Sequence, residues 1–262
     1  MLAVTSGNNR IKIASMDDIT KQALINRFID ESFRDSADKD YICARVSYRY
    51  GLVAQFYWSA LQAIEKYLKA ILLYNRKNAK KLGHEISKAY TKVLTINDIN
   101  FRFPKNINKY LAHIEEQGGN RYFEYPRNSY GQELPYLDKT VWHIRQYCFF
   151  LRTVALDNGK LKDQFPVNIK EIERNIIKGP TMRNFAFRGT LEDILCDGTS
   201  KLREPLVWEN FYFGSYKKKV IRFRSLRCSA NPIHVLHPEI YPELAKMVDF
   251  SRSVRDYFTK KP

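Results

Sequence analysis

At 262 residues the chain can bury a substantial core as one large or two ordinary domains, and its 17 Tyr and 16 Phe exclude a disordered polymer. Its formal net charge is +16, shared almost evenly: residues 1–157 hold 24 Lys and Arg against 16 Asp and Glu, residues 158–262 hold 20 against 12. An excess of this size favours polyanionic partners, RNA or DNA above all, the bland alternative being a basic composition that merely serves solubility.

Residues 17–33 read as a first amphipathic helix, with Asp17 and Asp18 suited to the positive end of its dipole. Asp35-Ser36-Ala37-Asp38 reads as a cap ahead of a second helix over about 38–50, which Gly51 ends. The longest helix follows at about 53–75. Its positions 60, 63, 64, 67, 68 and 71 form an apolar stripe, with Gln62, Glu65, Lys66 and Lys69 opposite, and Glu65 and Lys69 spaced to pair. A basic connector, 75–81, leads through Gly83 to a helix over 85–95. Pro104 precedes another over 105–117, which Gly118-Gly119 closes.

A last core helix is expected over 135–156, because Leu137, Val141, Ile144, Cys148, Leu151 and Ala155 repeat at helical spacing. Asn158-Gly159 then breaks the chain, and a boundary is placed near 157–168. It separates a helical domain, 1–157, from a C-terminal α+β subdomain, 158–262. In the second part a short helix spans 168–178. Residues 206–213 and 216–226, joined by Gly214-Ser215, read as a β-hairpin, and two short helices at 238–247 and 251–260 finish the chain.

Four cysteines, Cys43, Cys148, Cys196 and Cys228, sit far apart with no Cys-x-x-Cys pair, as suits free thiols in a reducing compartment. No stretch approaches the ~20 apolar residues of a spanning helix, and residues 1–15 lack a signal-peptide core. A soluble, cytoplasmic protein is the expectation.

The run from Asp40-Tyr41-Ile42-Cys43-Ala44-Arg45, through Ala63-Ile64-Glu65-Lys66-Tyr67-Leu68-Lys69-Ala70, to Gly83-His84-Glu85-Ile86 resembles the HEPN domain family. Asn120-Arg121-Tyr122-Phe123-Glu124-Tyr125 is similar to that family's Asn-x-Arg-Tyr loop in a shifted register. The resemblance covers roughly residues 37–156. It implies a mainly α helical bundle that dimerises through helix faces, for which Phe56, Tyr57 and Leu61 would supply the patch. It also implies nucleotide or RNA contact, sometimes beside a nucleotidyltransferase-type partner.

Many members of that family are metal-independent ribonucleases that use an Arg and a His, four to six residues apart, on the last core helix. The arginine holds the scissile phosphate and the imidazole moves a proton, so the chemistry needs both. Here that helix carries His143, Arg145 and Arg152, with no Arg at the required distance ahead of His143. His84 and His113 also lack one. The run Arg227 to His234 has the spacing, but it lies outside the bundle and contains Pro232.

Arg145, Arg152, His143 and His84 therefore stand as candidates for a displaced site. The alternative has Arg145 paired with a carboxylate, His143 facing solvent and His84 serving its turn. Cys228, His234 and His237 make a poor metal set, so neither metal nor cofactor is expected.

Residues 217–227 hold six cations and no acid. On a strand, Arg222 and Arg224 would share one face, and with Lys217, Lys218 and Lys219 they are the candidate nucleic-acid contacts. The alternative is an edge strand charged against sheet pairing. Three functions follow: an RNA- or nucleotide-binding module without catalysis; a ribonuclease of the toxin or phage-defence kind, for which an antitoxin would be the partner; and a plain assembly domain.

Overall fold

The computed structural model describes residues 18–120, 127–129, 131–155, 161–180, 189–214, 227–229, 237–250 and 252–259. Helix α1 (Asp18–Ile29) runs through one π turn, Asp30–Arg34, straight into α2 (Asp35–Arg49). The expected cap at Asp35 does not interrupt it, because Arg34 keeps helical dihedrals and pairs with both Asp30 at 2.7 Å and Asp35 at 2.9 Å. Gly51 does end α2. Its φ of 77° places Gly51 N–H on the Tyr48 carbonyl at 3.1 Å and Leu52 N–H on the Ser47 carbonyl at 2.8 Å, a Schellman closure.

Helix α3 (Val53–Tyr74) is the axis of the bundle, contacted by α2, by α4 (Ile86–Leu94), by α5 (Lys105–Gly119) and by α6 (Glu133–Arg145). Its stripe of Ala60, Ala63, Ile64, Tyr67, Leu68 and Ile71 is fully buried, as the spacing predicts. Phe56, Tyr57 and Leu61 are buried too, and this corrects their assignment to a dimer patch. They face α5 and the end of α2 within the monomer. A Cβ added at Gly118 of α5 would lie 2.8 Å from Leu61 Cβ, so glycine there permits the close approach of the two helices.

Helix α6 is shorter than its apolar repeat suggests. Cys148 and Leu151 are buried, yet the helix stops at Arg145 and the chain turns, with Tyr147 and Cys148 amides on the carbonyls three residues back. A short strand β2 (Thr153–Ala155) follows and pairs antiparallel with β3 (Leu161–Asp163). Contrary to the sequence expectation, Arg152 is therefore not on the last core helix with His143 and Arg145.

Beyond it lie α7 (Phe165–Lys178), α8 (Thr190–Cys196) and α9 (Arg203–Val207). Residues 206–213 are the end of α9 and a series of turns, not the first arm of a hairpin. Asn210 dictates this locally: its Oδ1 accepts the Tyr212 and Phe213 amides at 2.9 and 3.0 Å, closing a turn where a strand was expected. The second arm, 216–226, lies outside the described residues. Leu191, Leu206 and Phe213 join the same core as α3.

A second short ladder pairs β1 (Arg127–Ser129) with β4 (Arg227–Ser229), Arg127 opposite Ser229. Helices α10 (Tyr241–Leu244) and α11 (Arg252–Thr259) close the chain. The protein is a helical bundle with two small antiparallel ladders among its described residues. No helix among them is long and apolar enough to cross a membrane.

Candidate functional site

Two buried arginines organise the interior. Arg145, on the last turn of α6, meets Asp38 of α2 side-on, Nε to Oδ1 at 2.8 Å and Nη2 to Oδ2 at 2.9 Å. Its other edge grips Glu192 of α8, Nη2 to Oε2 at 2.8 Å and Nη1 to Oε1. Tyr67 donates to Asp38 as well, and the Leu191 amide reaches Asp38 Oδ2 at 3.3 Å. Burial works against the charge on Arg145, but Asp38 and Glu192 prevail and hold its guanidinium firmly protonated. Gly189 fits here because any Cβ would stand 2.9 Å from Arg145 Nη2.

The second arginine, Arg45 of α2, bonds Asp138 of α6, and donates to the backbone carbonyls of Pro205, at 2.9 Å, and Trp208. Tyr41 completes the set, donating to Asp138 at 2.6 Å while accepting from Asn210 at 2.9 Å. Burial lifts Asp138 above the ordinary aspartate range, with Arg45 and Tyr41 opposing the rise. Both clusters are hidden from solvent: Asp38 is 0% exposed, Arg45 1%, Asp138 1% and Arg145 3%. They can neutralise one another and fasten helices. They cannot meet a phosphate without losing their partners.

The four candidates for a displaced catalytic site do not converge. Arg145 is consumed inside. Arg152 reaches Asp98 at 2.6 Å and lies 4.5 Å over the Phe165 ring. His143 is half-buried on α6 rather than facing solvent, and burial, with Lys139 adding repulsion, pulls its imidazole down to about 4. It stays neutral at ordinary pH. His113 is bonded to the Tyr57 hydroxyl at 3.0 Å.

His84 has the most chemical setting of the set. The left-handed turn at Gly83 (φ 55°) delivers its Nδ1 to Glu65 Oε2 at 2.7 Å, with Gln62 at 3.2 Å and the Trp58 ring edge-on at 5.4 Å. Glu65 also takes the expected bond from Lys69, whose Nζ reaches the Gly83 carbonyl at 3.1 Å. An imidazole whose Nδ1–H is held by a carboxylate leaves Nε2 as an acceptor, and the His84 side chain is 48% exposed. Among the described residues it stands beside a lysine, with no arginine bonded to it.

Lys217, Lys218, Lys219, Arg222 and Arg224 lie outside the described residues, as does His234; His237 is exposed and pairs with Glu239 at 3.1 Å. Among the described residues no cluster of His, Cys, Asp and Glu is arranged to hold a metal ion. Sequence reasoning missed Arg45 and Glu192. Both sit on short or amphipathic helices where a charge reads as solvent-facing, and only the length of the apolar surround could have marked them.

A model of the HEPN domain matches residues 31–129. No curated protein and no solved structure matches the chain. The matched stretch takes in α2 to α5 and the Gly83-His84 turn, and stops ahead of α6. The order Asp40-Tyr41, Glu65-Lys66, Gly83-His84, seated on helices packed around α3, agrees with that match of residues 31–129 to the HEPN domain.

Proposed function

We propose that this protein is an RNA- or nucleotide-binding HEPN module without catalysis of its own, acting beside a partner. The observation that carries this reading is the fate of Arg145: the guanidinium nearest His143 on α6 is spent on Asp38 and Glu192 in the interior. An arginine so held cannot grip a scissile phosphate. The charge of +16 supports a polyanionic ligand, and the basic run 217–227 is the stretch of sequence best suited to its phosphates. A nucleotidyltransferase-type or antitoxin partner and a homodimer fit the family. The exposed free thiols of Cys43 and Cys196 fit a reducing, cytoplasmic setting.

The test is incubation of the pure protein with labelled RNA, without metal, following cleavage and gel mobility at two salt concentrations. Retarded, intact RNA with a shift that weakens at higher salt is the expected result; cleavage overturns it. One observation favours a second reading, a ribonuclease. Glu65 fixes His84 so that Nε2 can accept a 2′-hydroxyl proton. If RNA is cut, His84→Ala abolishes cutting under that reading, while loss with His143→Ala alone would return the site to α6.

A further inference from the structure

A groove of about 710 Å³ opens between α1, the end of α3 and the connector 75–81. Its floor is apolar, from Ile25, Ile29, Phe33 and Leu73. At its mouth Phe28 is 58% exposed, with its ring set against Phe33 at 6.0 Å and 73°. A phenylalanine left this open on α1, just ahead of the matched stretch, presents a ring face to whatever enters.

The rim is cationic, and no carboxylate is among the described residues that line the groove. Arg76 holds a left-handed backbone (φ 54°), which turns its side chain back over α1. There Nε donates to Gln22 at 2.8 Å, Nη2 to Asn26 at 2.8 Å and Nη1 to the Leu73 carbonyl at 3.1 Å. All three acceptors are neutral. Of the five N–H donors of a guanidinium, two remain; the cation lies 5.2 Å from the Phe150 ring centroid and meets no carboxylate among the described residues. Burial, with no carboxylate to offset it, pulls Arg76 below the ordinary arginine range. Lys77 and Lys80 beside it are exposed and make no ion pair among the described residues.

We infer that this groove binds single-stranded nucleic acid, a base resting on Phe28 and the backbone phosphates on Arg76, Lys77 and Lys80. The inference rests on the nucleic-acid reading above and gives it a surface. Two other occupants fit the charge poorly. Residues 1–17 carry Arg10 and Lys12 against Asp17 alone, at the end next to α1, so the chain's own N-terminal segment would set cation on cation. A second copy docking through the same face would do likewise.

The test uses the full chain with fluorescently labelled oligouridylate, its DNA counterpart and an RNA duplex, read by anisotropy at two salt concentrations. Phe28→Ala should weaken binding of the single strands about tenfold. Lys77→Ala with Lys80→Ala should lower the slope of log affinity against log salt by about 1.4. The lysine pair, being exposed, reports even if Phe28→Ala disturbs folding. A stronger loss on the RNA strand than on the DNA strand, or the reverse, supports the groove and names its sugar.

If wild-type protein binds single strands and both variants bind equally well, the groove is wrong while the nucleic-acid reading stands. If wild-type protein binds no nucleic acid, both fall. Duplex bound as tightly as single strand overturns the groove. So does self-association, or adsorption to anionic vesicles, that Phe28→Ala abolishes while strand binding persists.

Discussion

Arg145 and Asp38 face each other as two parallel N–H···O bonds, 2.8 and 2.9 Å, between helices 107 residues apart in the chain. Removing the arginine strands two carboxylates in a closed interior. Arg145→Ala should therefore destabilise the fold by about 3–5 kcal/mol, measured by denaturant unfolding. Arg152→Ala, with Asp98 more than half exposed, should change it by less than about 1 kcal/mol. Equal effects would mean that the interior cluster is not held as described.

Adjacent glycines on α5 offer a sharper contrast. A methyl at Gly118 would press on Leu61 Cβ at 2.8 Å and the Tyr57 carbonyl at 2.9 Å, whereas one at Gly119 meets nothing within 4 Å. Gly118→Ala should destabilise by about 1–3 kcal/mol. Gly119→Ala should be neutral or slightly stabilising, since alanine suits a helix better. The midpoints of the two denaturation curves decide it.

His143 makes stability depend on pH. Its folded imidazole titrates at about 4, below the ordinary 6.5, so between these values the unfolded chain binds the proton more readily. The neutral-ring contribution is complete above pH 6.5 and is lost as pH falls towards 4. Acidifying from pH 7 to 4.5 should remove about 2–3 kcal/mol through this residue alone. His143→Gln should lose less over that interval than wild type, by that difference; parallel pH profiles would show the ring to be solvated.

The basic run makes an independent prediction about ligand binding. Replacing Lys217, Lys218, Lys219 and Arg222 with Ala should lower RNA affinity and reduce the salt slope by about 2–3, as four lost phosphate contacts require. An unchanged slope would leave these cations with the edge-strand role alone.

What the sequence disclosed, and what it hid, follows from which side of each helix carries information. The stripe on α3 was plain because Ala60, Ile64, Tyr67 and Ile71 repeat where burial requires them. The end of α6 was not, since Cys148 and Leu151 are buried whether the backbone is helical or turning. Leu206 to Phe213 looked like a strand through its aromatic and branched residues, while a single Asn210 amide decided for a turn.

Phe56, Tyr57 and Leu61 fall off the main stripe and so looked superfluous. A second helix with Gly118 at the contact covers them, and periodicity on one helix cannot announce a neighbour. Of the candidate site, the Glu65–Lys69 pair and the Gly83-His84 turn were legible, their junction at Glu65 Oε2 was not.

The two interior guanidiniums also set the length of chain that can stand alone. Arg45 takes backbone oxygens from Pro205 and Trp208, and Arg145 takes its second carboxylate from Glu192. An expression fragment trimmed to the family-matched stretch would keep Asp38 and Arg45 without Arg145 and Asp138, and one stopped just past α6 would keep those pairs but lose Glu192 and the carbonyls of Pro205 and Trp208. A fragment carried through Phe213, some eighty residues past the end of the matched segment, should therefore be more stable than either shorter one, as denaturant unfolding would show.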